Sequence, residues 1–126
     1  RKKLGRPYSF IGKVVPGSNR GNKLGFPTAN IELIDNYVVP KTGVYITNTI
    51  IDNNRYISAT NIGYNPTFNE NILKIETHIL NFDGNIYGKI LEIEFLEFIR
   101  DDIKFDNTND LIEQMRLDID LIKNRY

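Results

Sequence analysis

From residue 8 to about residue 98 the apolar residues arrive in short runs rich in Ile, Val, Tyr, Phe and Thr, separated by clusters of Gly, Asn, Asp and Pro. β-branched and aromatic runs of this length, bounded by turn formers, make strands rather than helices. The expected strands are residues 9–15, 29–33, 43–51, 56–62, 73–81 and 89–98. Six short strands at this spacing fold as a barrel or a sandwich. Asp52-Asn53-Asn54 reads as a hairpin turn, because Asn and Asp tolerate positive φ and bond their own backbone. Asp83-Gly84-Asn85 marks a second. In the last strand Leu91, Ile93 and Phe95 share one face and Glu92 and Glu94 the other, until Leu96 and Phe98 put apolar groups on the glutamate side. A bulge or a change of burial there accounts for the switch.

After Arg100 the period changes. Residues 106–110 offer several N-caps, and Asp110 with Glu113 has capping-box spacing. Leu111, Met115, Ile119 and Ile122, with Ile112 alongside, form an apolar stripe against Glu113, Arg116, Asp120 and Lys123, so a C-terminal helix is expected to pack on the sheet. The 126 residues suffice for one core, with residues 8–126 read as a single domain and the basic opening 1–7 as a linker or terminal extension. Lys plus Arg and Asp plus Glu are 16 each, which lowers the prior for a nucleic-acid binder or membrane-surface protein. No run reaches the roughly 18–20 apolar residues that span a bilayer, and a cytoplasmic location is expected. The absence of cysteine excludes disulfides, thiolate catalysis and Cys-based zinc sites, and one histidine leaves little for a His-rich metal site. Carboxylates, hydroxyls, amides and backbone must carry the chemistry.

Three constellations could do so. Gly17, Gly21 and Gly25, interleaved with Ser18, Asn19, Arg20, Asn22 and Lys23, follow a strand and precede Phe26-Pro27-Thr28-Ala29-Asn30. Glycines allow successive N–H groups to converge on an anion, and Arg20 and Lys23 add charge for phosphate oxygens. A surface loop between strands has the same composition, and the spacing is not that of a Walker loop. Thr28 and Asn30, two apart at the mouth of a strand, project their oxygens to one face, a pair suited to magnesium completed by nucleotide phosphates. They could equally satisfy backbone groups after the Pro27 turn. In the fifth strand Glu76 shares a face with Lys74 and His78, opposite Ile75, Thr77 and Ile79. A carboxylate within an aliphatic strand is costly to bury unless it is partnered or functional. His78 could be the base instead, or simply part of the wall.

Several segments together resemble riboflavin kinase: Leu4-Gly5-Arg6-Pro7-Tyr8; Leu24-Gly25-Phe26-Pro27-Thr28-Ala29-Asn30; Asn61-Ile62-Gly63 with Asn65-Pro66-Thr67; and Glu76-Thr77-His78 with Phe82 and Tyr87-Gly88. The order and spacing hold from Leu4 to the final helix, and are most similar to the C-terminal kinase module of bacterial bifunctional FAD synthetase. The resemblance implies a mainly β fold, a six-stranded antiparallel Greek-key barrel with a C-terminal α-helix. It implies an ATP-dependent phosphotransferase of FMN and FAD biosynthesis that turns riboflavin and ATP into FMN and ADP, with Mg2+ as cofactor. An FMN adenylyltransferase domain would precede the module in the native chain, and neither nucleic acid nor membrane would be a partner. Among site residues it implies that Thr28 and Asn30 bind the metal and phosphates, that Gly17, Arg20, Gly21, Lys23 and Gly25 cover the nucleotide, that Glu76 accepts the hydroxyl proton, and that Arg100 and Phe105 close over the flavin. Where the family commonly has Arg after the glycine at position 21, this chain has Asn22 and then Lys23. Two other classes compete: a noncatalytic flavin- or nucleotide-binding barrel, and an oligonucleotide-binding barrel, against which balanced charge and the lack of Trp both weigh.

Overall fold

A computed structural model describes residues 8–15, 29–34, 39–66, 71–80, 86, 88–102 and 107–125. Six strands, β1 (Ser9–Val15), β2 (Ala29–Leu33), β3 (Gly43–Ile51), β4 (Asn54–Pro66), β5 (Asn71–Ile79) and β6 (Ile90–Arg100), are followed by one helix, α1 (Thr108–Arg125). The strands close into a barrel in the order β1-β2-β5-β4-β3-β6, every pairing antiparallel. β3, β4 and β5 are successive neighbours, whereas β2 pairs with β5 and not with β3, which gives the expected Greek-key order. The first three strands have the expected limits; β4 runs longer at both ends, β5 starts and ends two residues earlier, and β6 extends to Arg100.

Alternation along the strands sends one set of side chains inward. Phe10, Val14, Ile31, Tyr45, Ile62, Ile75, Leu91, Ile93 and Phe95 fill the barrel, with Phe95 in edge contact with both Phe10 and Tyr45. Beside them lies a buried hydroxyl chain across three strands. Thr49 and Ser58 Oγ atoms are 2.8 Å apart, Ser58 and Thr47 2.7 Å, Thr47 and Thr60 2.9 Å, and Thr60 and Thr77 3.0 Å. Each hydroxyl can both donate and accept, so five polar groups are buried without an unpaired member.

The β3–β4 hairpin turns at Asp52 and Asn53, whose φ values of 51° and 69° are the paired positive angles of a two-residue type I′ turn. The expected hairpin at Asp83-Gly84-Asn85 lies outside the described residues. The predicted irregularity in β6 is a pair of register shifts: Glu97 faces Ile46 while Phe95 faces Thr47, and Arg100 faces Val44 while Phe98 faces Tyr45. Leu96 and Ile99 are the extra residues, and both turn outward to meet α1, together with Ile46, Ile57, Ala59 and Leu80. Ile119 and Ile122 of the predicted stripe pack there.

The cap is one of the offered residues, but the Asp110–Glu113 box does not form. Asn107 Oδ1 accepts from the Asp110 N–H at 2.8 Å, and Asn107 Nδ2 donates to the Asp110 carboxylate at 3.1 Å. Asn107 is therefore the N-cap and Asp110 sits at N3, because one amide side chain offers both the acceptor and the donor that a reciprocal cap needs. Glu113, predicted to close a box with Asp110, instead pairs with Arg116 at 3.2 Å. No helix among the described residues is long and apolar enough to cross a membrane.

Candidate functional site

Antiparallel register decides which outward side chains meet. Glu76 on β5 lies directly opposite Asn30 on β2 and, on its other flank, opposite Asn61 on β4. Asn61 in turn faces Val44 on β3, and Val44 faces Arg100 on β6. Because neighbouring strands are about 4.8 Å apart and paired residues share a face, Asn30, Glu76, Asn61, Val44 and Arg100 form one row across the outer surface of the barrel. The inward neighbours of that row, Ala29, Thr77, Thr60 and Tyr45, are all buried in the core, which fixes the outward direction of the row itself.

Glu76 is not buried as a lone charge. About a quarter of its side chain is exposed, and Lys74 Nζ, two residues back on the same face, stands 3.8 Å from Oε2. At that separation the pair is electrostatic rather than a hydrogen bond. The physical cost anticipated for a carboxylate in an aliphatic strand is thus met by a cation and by solvent. Asn61 is different: its Oδ1 is buried and has no hydrogen-bond donor among the described residues. His78 lies two residues further along β5, opposite Ala59.

At the other end of the row, Arg100 is held by α1. Its Nε and Nη2 donate to the two carboxylate oxygens of Asp118 at 3.0 and 2.8 Å, and Nη1 donates to the Asp101 carbonyl at 3.0 Å. Asp118 also accepts from Gln114 Nε2 at 3.1 Å and is itself buried. This bidentate pair fixes the end of β6 against the helix. Just beyond, the Asp102 carboxylate rests on β4 at Gly63, where a Cβ would come within 2.7 Å of Oδ2. Gly63 faces Lys74 across the strand pair, so Asp102 lies over the position next to the Asn61–Glu76 pair.

Of the site residues chosen from the sequence, Asn30, Glu76 and Arg100 fall on this row. Gly17, Arg20, Gly21, Lys23, Gly25, Thr28 and Phe105 lie outside the described residues, as does the opening 1–7. Sequence reasoning placed Lys74 on the Glu76 face without giving it a role, and named Asn61 only within a longer string. It missed Asp118, whose partner comes from another element. The three β6 carboxylates are engaged elsewhere: Glu92 accepts from Ser9 at 2.6 Å, Glu94 from Arg55 and Asn48, and Glu97 pairs with Arg125.

The bifunctional riboflavin kinase/FMN adenylyltransferase of Listeria monocytogenes is 40% identical over 116 residues, covering 91% of this chain but 37% of that protein. A crystal structure described as a macrolide-efflux protein from Streptococcus pneumoniae superposes with a TM-score of 0.89 at 35% identity, over 94% of this chain and 39% of that one. The riboflavin kinase of Trypanosoma brucei, at 23% identity and a TM-score of 0.62, covers 98% of this chain and 82% of that one and shares the fold. The chain thus spans well under half the length of the bacterial bifunctional relative. The riboflavin kinase profile, Flavokinase, matches residues 4–126, and with the Listeria relative it establishes that this chain belongs to the riboflavin kinase family.

Proposed function

We propose that this chain is a riboflavin kinase module in which Glu76 is the general base, working beside an FMN adenylyltransferase domain as in its bifunctional relatives, in the cytoplasm. Residues 8–126 would form the kinase domain, with 1–7 as the linker. The observation that carries the reading is the direct cross-strand placement of Glu76 beside Asn30, which sets a carboxylate next to a neutral oxygen donor on one surface. Riboflavin kinases use ATP and a divalent metal. The amide oxygen of Asn30, with the Thr28 hydroxyl, fits a hard ion such as Mg2+ whose remaining positions go to phosphate and water. When bound, the ion neutralises charge on the transferred phosphoryl group.

The reacting 5′-hydroxyl of the ribityl chain is placed at Glu76. Its oxygen attacks the γ-phosphorus of ATP, the bond to the β,γ-bridging oxygen breaks with its electron pair leaving on ADP, and Glu76 takes the hydroxyl proton. The loose transition state asks mainly for alignment and charge neutralisation, which Asn30, the cationic glycine loop and Glu76 divide among them. Arg100 and Phe105 border the flavin. Incubation with riboflavin, ATP and Mg2+ should yield FMN by chromatography. Glu76→Gln should lower that rate by roughly 10² to 10⁴ while circular dichroism and ATP binding stay as in the wild type. Wild-type turnover by the variant removes Glu76 from the chemistry. Flavin and nucleotide binding with no FMN from the wild type makes the barrel a noncatalytic binder.

A further inference from the structure

Asn61 holds a buried side-chain oxygen that finds no donor among the described residues. Folded proteins leave few such atoms, because an unpaired buried carbonyl forfeits its hydration without replacement. The described residues around it offer it no donor. Across β3 its partner Val44 is apolar and buried. Across β5 its partner is Glu76, which when ionised only accepts. Among the described residues, the cations on and beside this row are committed, Lys74 to Glu76 and Arg100 to Asp118 and the Asp101 carbonyl. The position is therefore a rigid hydrogen-bonding amide, on a strand in the barrel wall, directly beside the carboxylate at which the substrate's terminal hydroxyl is placed.

We infer that Asn61 binds a second hydroxyl of the substrate's polyol chain, the one on the carbon next to the reacting terminus, and so acts as a specificity-determining residue for a hydroxylated side chain. The inference rests on the placement of riboflavin proposed above. A hydroxyl is the fitting ligand group because it both donates and accepts: it satisfies the amide whichever way the side-chain oxygen and nitrogen are turned. A chain that lies along the row, with its end at Glu76, passes Asn61 one strand away, and cross-strand neighbours of this kind have Cβ atoms about 5 Å apart. A site that offers a buried amide to a hydroxyl discriminates against an analogue lacking it, since the amide is then left unpaired in the complex as well.

The experiment compares riboflavin with the analogue that lacks this one hydroxyl, reading affinity from quenching of flavin fluorescence and turnover from FMN formation, in wild type, Asn61→Leu and Asn61→Asp. The wild type should bind riboflavin about tenfold more tightly than the analogue. Asn61→Leu should lose that discrimination and bind both weakly, with KM for ATP unchanged. Its melting temperature should hold or rise, because the unpaired carbonyl has gone. Asn61→Asp, which keeps an acceptor at the same reach, should retain discrimination; it also decides the matter if the leucine variant does not fold, since loss of discrimination there overturns the inference. Undiminished discrimination by Asn61→Leu overturns it too. If the wild type makes FMN and these variants behave as it does, the Asn61 role alone is lost; if the wild type neither binds nor phosphorylates riboflavin, the kinase reading falls and this role with it.

Discussion

At the scale of single residues, the Arg100–Asp118 pair shows how position in the fold changes what a charge does. By sequence Arg100 has a flavin-side role implied by resemblance but no visible partner. In the fold its guanidinium has 18% of its side-chain surface exposed and its partner carboxylate 9%, and the pair is bidentate. A surface ion pair contributes little to stability, but removing one partner of a buried pair leaves an uncompensated charge. Asp118→Ala should therefore destabilise the protein by about 3 kcal/mol in urea unfolding, where an exposed pair such as Arg116–Glu113 would cost a few tenths. A loss below about 0.5 kcal/mol would mean that the pair behaves as an exposed one. The same variant frees Arg100, so any flavin contact it makes would lose its alignment along with the stability.

At the scale of elements, the bulges of β6 and the cap of α1 jointly place the helix beside the row. Without the extra residues Leu96 and Ile99, strict alternation would keep the apolar side chains of β6 on one face. The two register shifts turn those two outward, and α1 covers them with Ile119 and Ile122 while Arg125 pairs with Glu97. The helix begins where the Asn107 side chain satisfies an otherwise orphaned N–H. Replacing Asn107 with Ala should cost about 1 kcal/mol in thermal or chemical unfolding, with helical signal lost first at the N-terminal turn. Glu113→Ala, by contrast, should cost a few tenths, because Glu113 makes an exposed i,i+3 pair and not the cap. Equal losses from the two would restore the box that the sequence spacing suggested. Strand existence and the helix stripe were legible because period-2 and period-3.6 patterns are local; the choice between Asn107 and Asp110 as cap was not, since several capping residues stand together and only the chain's path selects one.

At the scale of the whole molecule, barrel closure buries what a strand alone would leave wet, and Tyr45 reports on it. Burial pushes its phenol above the ordinary value of 10.0, since the closed core disfavours the phenolate. With the folded pKa above the unfolded one, the unfolded chain ionises first; stability is intact below pH 10 and falls as pH rises from there toward the folded pKa. An unfolding series from pH 8 to 11 should show this decline, and Tyr45→Phe should flatten it, at the cost of the hydroxyl's 2.7 Å bond to the Lys41 carbonyl. A decline of the same slope in the variant would assign it to other groups. Propensity and periodicity are written over a few neighbouring positions, so the six strands, the β3–β4 hairpin and the C-terminal stripe could be read from the residues alone. It took the closed barrel to show that Asn30, Glu76, Asn61 and Arg100 stand in one row, that Lys74 attends Glu76, that Asp118 holds Arg100 and that the Asn61 amide oxygen has no donor among the described residues. Those facts depend on the register between strands and on where the helix docks, and cross-strand neighbours are set by closure of the whole barrel rather than by distance along the chain.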